Sequence, residues 1–143
     1  MEGQFRAELS REINASPDRV WAALTTPGEI KEYLFGTNAM SDFKRGSAIS
    51  YTGVHEGMEY HDKGRVLDAI PNKLLHTTYY SPLSGEEDKE ENYKHIIYEL
   101  EPKGDKTLLR FSPDNIKTDK ELKQMEQNWT QVLDGLQRLV ERK

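Results

Sequence analysis

Residues 118–142 read TDKELKQMEQNWTQVLDGLQRLVER, and this stretch decides the fold expected of the 143-residue chain. Its apolar residues recur every three or four positions, which is the spacing of one face of an α-helix. They are Leu122, Met125, Trp129, Val132, Leu133, Leu136, Leu139 and Val140. Thr118 and Glu121 have the spacing of a capping box at the helix start. The pattern predicts one long amphipathic helix of about 25 residues, which needs a large apolar surface to pack against.

The chain before this helix is typical of an antiparallel sheet. Apolar and polar residues alternate from Phe5 to Ile13 and predict a first strand with one buried face. Further strand signals lie between about residues 38 and 112, separated by glycine, proline and acidic turns. Residues 84–92 are strongly acidic, which predicts an exposed hairpin loop.

Two short helices are expected between the first strand and the rest of the sheet. Ser16 and Pro17 suit an N-cap and a first helical position. Thr26 and Glu29 have the capping-box spacing of a second helix. The order strand, two helices, antiparallel strands and long helix predicts a single α+β domain over residues 1–143. In this helix-grip fold, a curved antiparallel sheet wraps around the long C-terminal helix.

Composition and charge exclude several classes of function. The chain has 20 Lys and Arg against 25 Asp and Glu, a net charge of −5 and a pI near 5.4. This balance leaves no basic stripe, so nucleic acid is not expected as a partner. The sequence has no cysteine, no secretory signal and no apolar run long enough to insert into a membrane. We therefore expect a cytoplasmic protein without disulfides or cysteine-bound metals.

Sequence motifs for catalysis and cofactor binding are not found. There is no Gly-x-Ser-x-Gly elbow and no glycine-rich phosphate loop. The four histidines, His55, His61, His76 and His95, lack the spacing of metal ligands. The sequence therefore assigns no catalytic residue, no metal and no cofactor.

Several segments, taken in order, resemble the START-like superfamily, also called birch-pollen-allergen-like or SRPBCC. The branch they resemble is the C-terminal domain of activators of the heat-shock protein 90 ATPase. The segments are residues 15–25, 30–36, 42–47, 64–67, 98–102, 107–109 and 128–136, and together they extend over almost the whole chain. The resemblance implies a helix-grip fold with a cavity between the sheet and the last helix.

The aromatic residues indicate what such a cavity would hold. Core packing alone is one explanation for them, but tyrosine is an unusual choice for a dry core because a buried hydroxyl needs a partner. Tyrosines that project into a cavity fit a mostly apolar ligand with a few polar groups. The predicted ligand-binding residues are Tyr33, Tyr51, Leu75, Tyr79, Tyr98, Phe111, Met125, Trp129 and Val132.

Three functions stay open at this point. The leading hypothesis is a non-enzymatic module that binds a small hydrophobic or aromatic molecule, lipid-like or polyketide-like, between sheet and helix. The second, implied by the resemblance, is a cochaperone-like domain whose partner is a chaperone. The third is a cyclase or hydrolase that acts on a polyketide-like substrate through Tyr98 or His76 in the cavity. No unpaired apolar segment demands a second copy, so a monomer is expected.

Overall fold

Seven strands and three α-helices make up the described part of the chain. The computed structural model describes residues 8–34, 36–82, 86–114, 116 and 118–141. The elements are β1 Leu9–Ile13, α1 Pro17–Thr25, α2 Pro27–Tyr33, β2 Asn38–Met40, β3 Ala48–His55, β4 Met58–Ile70, β5 Leu74–Tyr79, a 3₁₀ helix Glu90–Asn92, β6 Lys94–Lys103, β7 Lys106–Pro113 and α3 Asp119–Glu141. Parts of the sequence predictions fall outside the described residues. These parts are at Phe5, residue 35, residues 84–85 and Arg142.

The strands form one antiparallel sheet in the order β1-β7-β6-β5-β4-β3-β2. Strands β2 to β7 follow one another as a meander, whereas β1 pairs with β7 and places Leu9 opposite Phe111. The register of β4 against β5 shifts between Val66 and Asp68. Irregularities of this kind bend a strand and increase its twist. The predicted α+β fold, with a curved sheet and a long C-terminal helix, is confirmed.

Helix α3 has 23 residues, and its C-terminal half is part of the core. The buried residues of this half are Val132, Leu133, Leu136, Leu139 and Val140. Two polar contacts attach it to the start of the chain: Arg11 pairs with Asp134, and the backbone N–H of Asn14 donates to Glu141 Oε2 at 2.8 Å. Among the described residues, no Cα atom of α3 lies within 8 Å of one in β5 or β6. The helix therefore reaches β6 through side chains: the Trp129 ring faces that of Tyr98, and Glu121 pairs with Lys94.

Only some of the hydrogen bonds predicted at the starts of the helices are formed. The backbone N–H of Glu121 donates to Thr118 Oγ1 at 3.0 Å, which confirms the threonine half of the cap before α3. The capping box expected at Thr26 and Glu29 is wrong, because Thr26 makes no side-chain cap hydrogen bond. The Glu29 carboxylate binds Arg19 Nη1 at 2.6 Å instead. The opposite charges of the two side chains favour this ion pair.

Two glycines allow neighbouring segments to approach closely. A side chain at Gly64 in β4 would collide with the backbone carbonyl of Thr78 in β5. A Cβ atom at Gly135 in α3 would lie 3.2 Å from Tyr33 Cβ, so this glycine lets α2 pack tightly on α3. A side chain therefore does not fit at Gly64, whereas at Gly135 it would require a small shift of Tyr33.

Replacing Gly64 with alanine should destabilise the protein, because the added methyl group has no space beside the Thr78 carbonyl. Overpacking of this kind costs about 1–3 kcal/mol of unfolding free energy. The matched control is Gly28→Ala in α2, where nothing lies within 4 Å of the added methyl group. There alanine should be neutral or stabilise the helix by up to about 1 kcal/mol. Urea denaturation measures both changes, and equal unfolding free energies in the two variants would contradict the close approach of β4 and β5.

Candidate ligand cavity

A cavity of about 1060 Å³ lies between the inner face of the sheet and the N-terminal half of α3. Small-molecule sites usually measure roughly 300–1,000 Å³, so this volume slightly exceeds the upper end of that range. Strands β3, β4, β5 and β6 provide one wall, and residues of α2 and α3 provide the others. The cavity is therefore where the sequence analysis expected it, between the sheet and the last helix.

Seven of the nine predicted binding residues line the cavity. These seven are Tyr33, Tyr51, Leu75, Tyr79, Tyr98, Met125 and Trp129. Phe111 and Val132 are placed elsewhere, because Phe111 is completely buried and Val132 is 3 % exposed in the core. The ring of Phe111 lies 4.2 Å from that of Trp129 and 5.2 Å from that of Tyr98. Phe111 thus packs against two lining rings and is not itself part of the lining.

The alternation of side chains along β5 and β6 decides which residues face the cavity. On the cavity side are Leu75, Thr77 and Tyr79 of β5, and Ile96 and Tyr98 of β6. His76 and His95 occupy the positions between them and lie on the opposite face, where His76 Nε2 is 2.8 Å from His95 Nδ1. Burial lowers the pKa of His76, and the neighbouring His95 lowers it further. The placement of His76 in the cavity, one of two options for the cyclase or hydrolase hypothesis, is wrong, whereas Tyr98, the other option, lines the cavity.

Two of the lining tyrosines use their hydroxyl groups to join elements of the fold. Tyr33 Oη donates a hydrogen bond to the backbone carbonyl of Ala23 at 2.9 Å, which ties α2 to α1. The hydroxyl oxygens of Tyr60 and Thr37 lie 2.5 Å apart and join β4 to the segment before β2. The Tyr33 hydroxyl therefore donates its proton within the protein, and the Tyr60 hydroxyl is engaged with that of Thr37.

Asp62 of β4 places a carboxyl group in the cavity wall with only 8 % of the residue exposed. Tyr79 Oη donates a hydrogen bond to Asp62 Oδ2. Within the described part of the chain, Asp62 Oδ1 has no hydrogen-bond partner. The rings of Tyr51 and Tyr79 lie 5.8 Å apart, and Tyr51 is paired directly with Asp62 across β3 and β4. An acidic group is therefore surrounded by tyrosine rings.

The hydroxyl groups of Tyr51 and Tyr98 have no hydrogen-bond partner among the residues that the structure describes. Burial raises the pKa of both side chains well above the usual tyrosine value. For Tyr51, the charge of Asp62 raises the pKa further. Both hydroxyls are therefore protonated at neutral pH, and each can donate one hydrogen bond to a molecule in the cavity.

Sequence reasoning missed Asp62 as a cavity residue. The signal that could have found it is the alternation along β4, where Asp62, Gly64 and Val66 share one face and Val66 is completely buried. An acidic residue with the same orientation as a buried valine belongs to the inner face. The sequence does not show, however, that Tyr79 from β5 provides its hydrogen bond.

Two other kinds of site are not found in the described ranges. No three histidine, aspartate or glutamate side chains converge there in the way that metal ligands do. None of the helices described has both the length and the apolar composition that crossing a bilayer requires. The cavity is thus the feature of this structure that offers a ligand both apolar surface and free polar groups.

The family model described as Activator of Hsp90 ATPase homolog 1-like protein matches residues 14–141. The chain belongs to this family. The match confirms the resemblance to the START-like superfamily and to its branch of Hsp90 activators. Comparison with curated proteins finds no match.

Solved structures with the same fold include one of substantial sequence similarity. ChR145 from Cytophaga hutchinsonii is 38 % identical with a TM-score of 0.86, and the match covers 99 % of this chain and 97 % of that one. CV1439 from Chromobacterium violaceum is 21 % identical with a TM-score of 0.80 over 100 % of both chains. The Aha1 dimer from Colwellia psychrerythraea is 22 % identical with a TM-score of 0.75, over 96 % of this chain and 97 % of that one. At these identities, the last two show the fold alone.

Alkaline titration should show that the cavity tyrosines ionise late. Burial raises the pKa of Tyr33, Tyr51, Tyr79 and Tyr98 in the folded protein, whereas tyrosines of an unfolded chain titrate near pH ~10. The unfolded state loses these protons first. The tyrosine contribution to the unfolding free energy should therefore be constant below about pH 10 and should fall as the pH rises further.

Tyrosinate absorbance and urea denaturation between about pH 8 and pH 12 measure these two effects. The variant Tyr98→Phe removes one late-ionising group, so its unfolding free energy should fall less steeply at high pH. An unfolding free energy of the unmodified protein that stays level up to about pH 12 would contradict the burial of these hydroxyls.

Proposed function

We propose that this member of the Activator of Hsp90 ATPase homolog 1-like family binds a small hydrophobic or aromatic molecule between the sheet and α3. The observation that carries the proposal is a cavity of about 1060 Å³ with a largely apolar wall, in which two tyrosine hydroxyls have no partner among the described residues. Burial of apolar ligand surface supplies roughly 25 cal/mol per Å², and the few polar groups set the orientation. Lipid-like and polyketide-like molecules have the size and the apolar surface that such a cavity accommodates.

The incomplete burial of the helix stripe supports this proposal. In the C-terminal half of α3, the apolar residues are buried in the core. In the N-terminal half, Leu122, Met125 and Trp129 belong to the same stripe but are only partly buried. Met125 and Trp129 line the cavity, so a ligand there would remove more of their apolar surface from water. Methionine is also well suited to adapt its shape to a ligand.

An NMR titration that follows the two tryptophan indole N–H signals tests the proposal. Trp129 lines the cavity, whereas Trp21 lies at a separate surface depression. Addition of 2-acetylnaphthalene as an aromatic probe, or 1-decanol as a lipid-like probe, should shift the Trp129 signal in a saturable way and leave the Trp21 signal in place. The variants Trp21→Phe and Trp129→Phe assign the two signals. Equal shifts of both signals, or no saturable shift with either probe, would contradict binding in the cavity.

The family description favours a second candidate function, a cochaperone-like interaction with Hsp90. A surface depression of about 350 Å³, which Trp21, Lys44 and Arg45 border, offers a place for such a contact. Basic side chains beside a partly buried aromatic ring can bind an acidic partner surface that also presents apolar groups. This contact would not require a ligand in the cavity.

If the cochaperone function holds, immobilised protein should retain purified Hsp90, and reversing the charges with Lys44→Glu and Arg45→Glu should abolish retention. Two unfavourable charge contacts in place of two favourable ones weaken association by several kcal/mol. The control is Lys73→Glu, an exposed residue in the turn between β4 and β5. Equal retention by the control and by the double charge reversal would remove Lys44 and Arg45 from the interface.

A further inference from the structure

The cavity contains five tyrosines, and the structure separates them by what their hydroxyl groups bind. Three hydroxyls have partners inside the protein: that of Tyr33 binds the Ala23 carbonyl, that of Tyr60 binds Thr37, and that of Tyr79 binds Asp62. The other two, on Tyr51 and Tyr98, have no partner among the described residues. Both residues are partly buried and line the cavity. Each hydroxyl can therefore donate a hydrogen bond to an acceptor on a molecule bound there.

Asp62 limits which acceptor can approach. The residue is 8 % exposed, and its Oδ1 atom lacks a hydrogen-bond partner in the described part of the chain. Lys120 is the basic residue in the described lining, and its side chain is exposed to solvent. Glu121, at the same end of α3, forms an ion pair with Lys94 Nζ at 2.8 Å. Two carboxylates that share a buried site repel each other strongly. A ligand carboxylate placed beside Asp62 would therefore bind poorly.

The electrostatic effect of Asp62 reaches the tyrosines. Its charge raises the pKa of Tyr51, and its hydrogen bond and charge raise the pKa of Tyr79, in both cases in addition to the larger effect of burial. A negative charge that disfavours a phenolate at these positions disfavours any other anion there for the same reason. The protonated phenols, in contrast, remain suitable donors to a neutral oxygen atom.

We propose that the cavity selects uncharged ligands with a carbonyl or ether oxygen, which accepts hydrogen bonds from Tyr51 and Tyr98, and that Asp62 excludes carboxylates. The proposal rests on the ligand-binding function proposed above and names the ligand class for the same site. It assigns different roles to the two tyrosines with free hydroxyls and to Tyr33, whose hydroxyl is already occupied. Neutral ketones, quinones and esters fit this description, whereas free fatty acids do not.

Three probes of nearly equal shape distinguish these chemistries, because they place different groups on one naphthalene ring. The acetyl group of 2-acetylnaphthalene offers a neutral acceptor, the isopropyl group of 2-isopropylnaphthalene offers none, and 2-naphthoate carries a negative charge. With the unmodified protein, the acetyl probe should bind about 2- to 10-fold more tightly than the isopropyl probe, as expected for one net hydrogen bond. The naphthoate should bind most weakly. Dissociation constants from NMR or calorimetric titration give these ratios.

Variants connect the ratios to individual side chains. The double variant Tyr51→Phe/Tyr98→Phe should bind the acetyl probe no more tightly than the isopropyl probe, because the carbonyl then has no donor. Tyr33→Phe removes a hydroxyl from the same cavity, but one that binds Ala23, so the preference for the acetyl probe should persist. Asp62→Asn should strengthen naphthoate binding at least several-fold and change binding of the isopropyl probe little. Circular dichroism and thermal melting establish that each variant is folded.

Each outcome bears on one of the two proposals. Equal binding of the acetyl and isopropyl probes to the unmodified protein, or naphthoate binding tighter than acetyl, overturns the ligand class and leaves the cavity function intact. A preference for the acetyl probe that survives in the double tyrosine variant overturns the roles of Tyr51 and Tyr98. If none of the three probes binds, the proposed function itself fails, and the ligand class with it.

Discussion

Burial of the apolar stripe along α3 is the constraint on which the rest of the structure depends. The stripe is longer than the surface that β1, α1 and α2 can cover, so its C-terminal half enters the core while its N-terminal half faces the cavity. Arg11 and Asn14 attach the C-terminal half to β1 through Asp134 and Glu141. One rigid helix consequently stabilises the fold at one end and forms a wall of the cavity at the other.

Hydrogen bonds within the protein decide which polar groups of the cavity can bind a ligand. Apolar walls discriminate weakly between molecules of similar shape, whereas a hydrogen-bonding group that is left unpaired by the wrong ligand discriminates strongly. Tyr79 is held by Asp62, and Tyr33 by the carbonyl of Ala23, so each of these hydroxyls donates its proton within the protein. The hydroxyls of Tyr51 and Tyr98 can donate to a ligand. The difference between structural and available hydroxyls therefore arises from a few contacts between strands and helices that are distant in sequence.

The predictions that succeeded rest on local periodicity, whereas those on Val132 and Glu29 failed because they depend on contacts between distant elements. The 3–4 residue spacing of Met125, Trp129 and Val132 placed them on one face of a helix, yet only the first two face the cavity. Their position along the helix axis decides this, because Val132 lies in the part of α3 that packs in the core. The alternation of β5 could have placed His76 on the outer face. The partner of Glu29, in contrast, depended on where Arg19 of the preceding helix projects.

By itself, the sequence determined the α+β class, the order of elements, the long amphipathic helix and a set of inward-facing tyrosines, because periods of 2 and 3.6 residues specify which faces are buried. Family membership follows from the same linear pattern over residues 14–141. Only the tertiary structure decided the size of the cavity, the inclusion of Asp62 and the distinction between occupied and free tyrosine hydroxyls. These properties depend on distances between side chains of separate strands and helices, and the curvature of the sheet and the position of α3 set those distances.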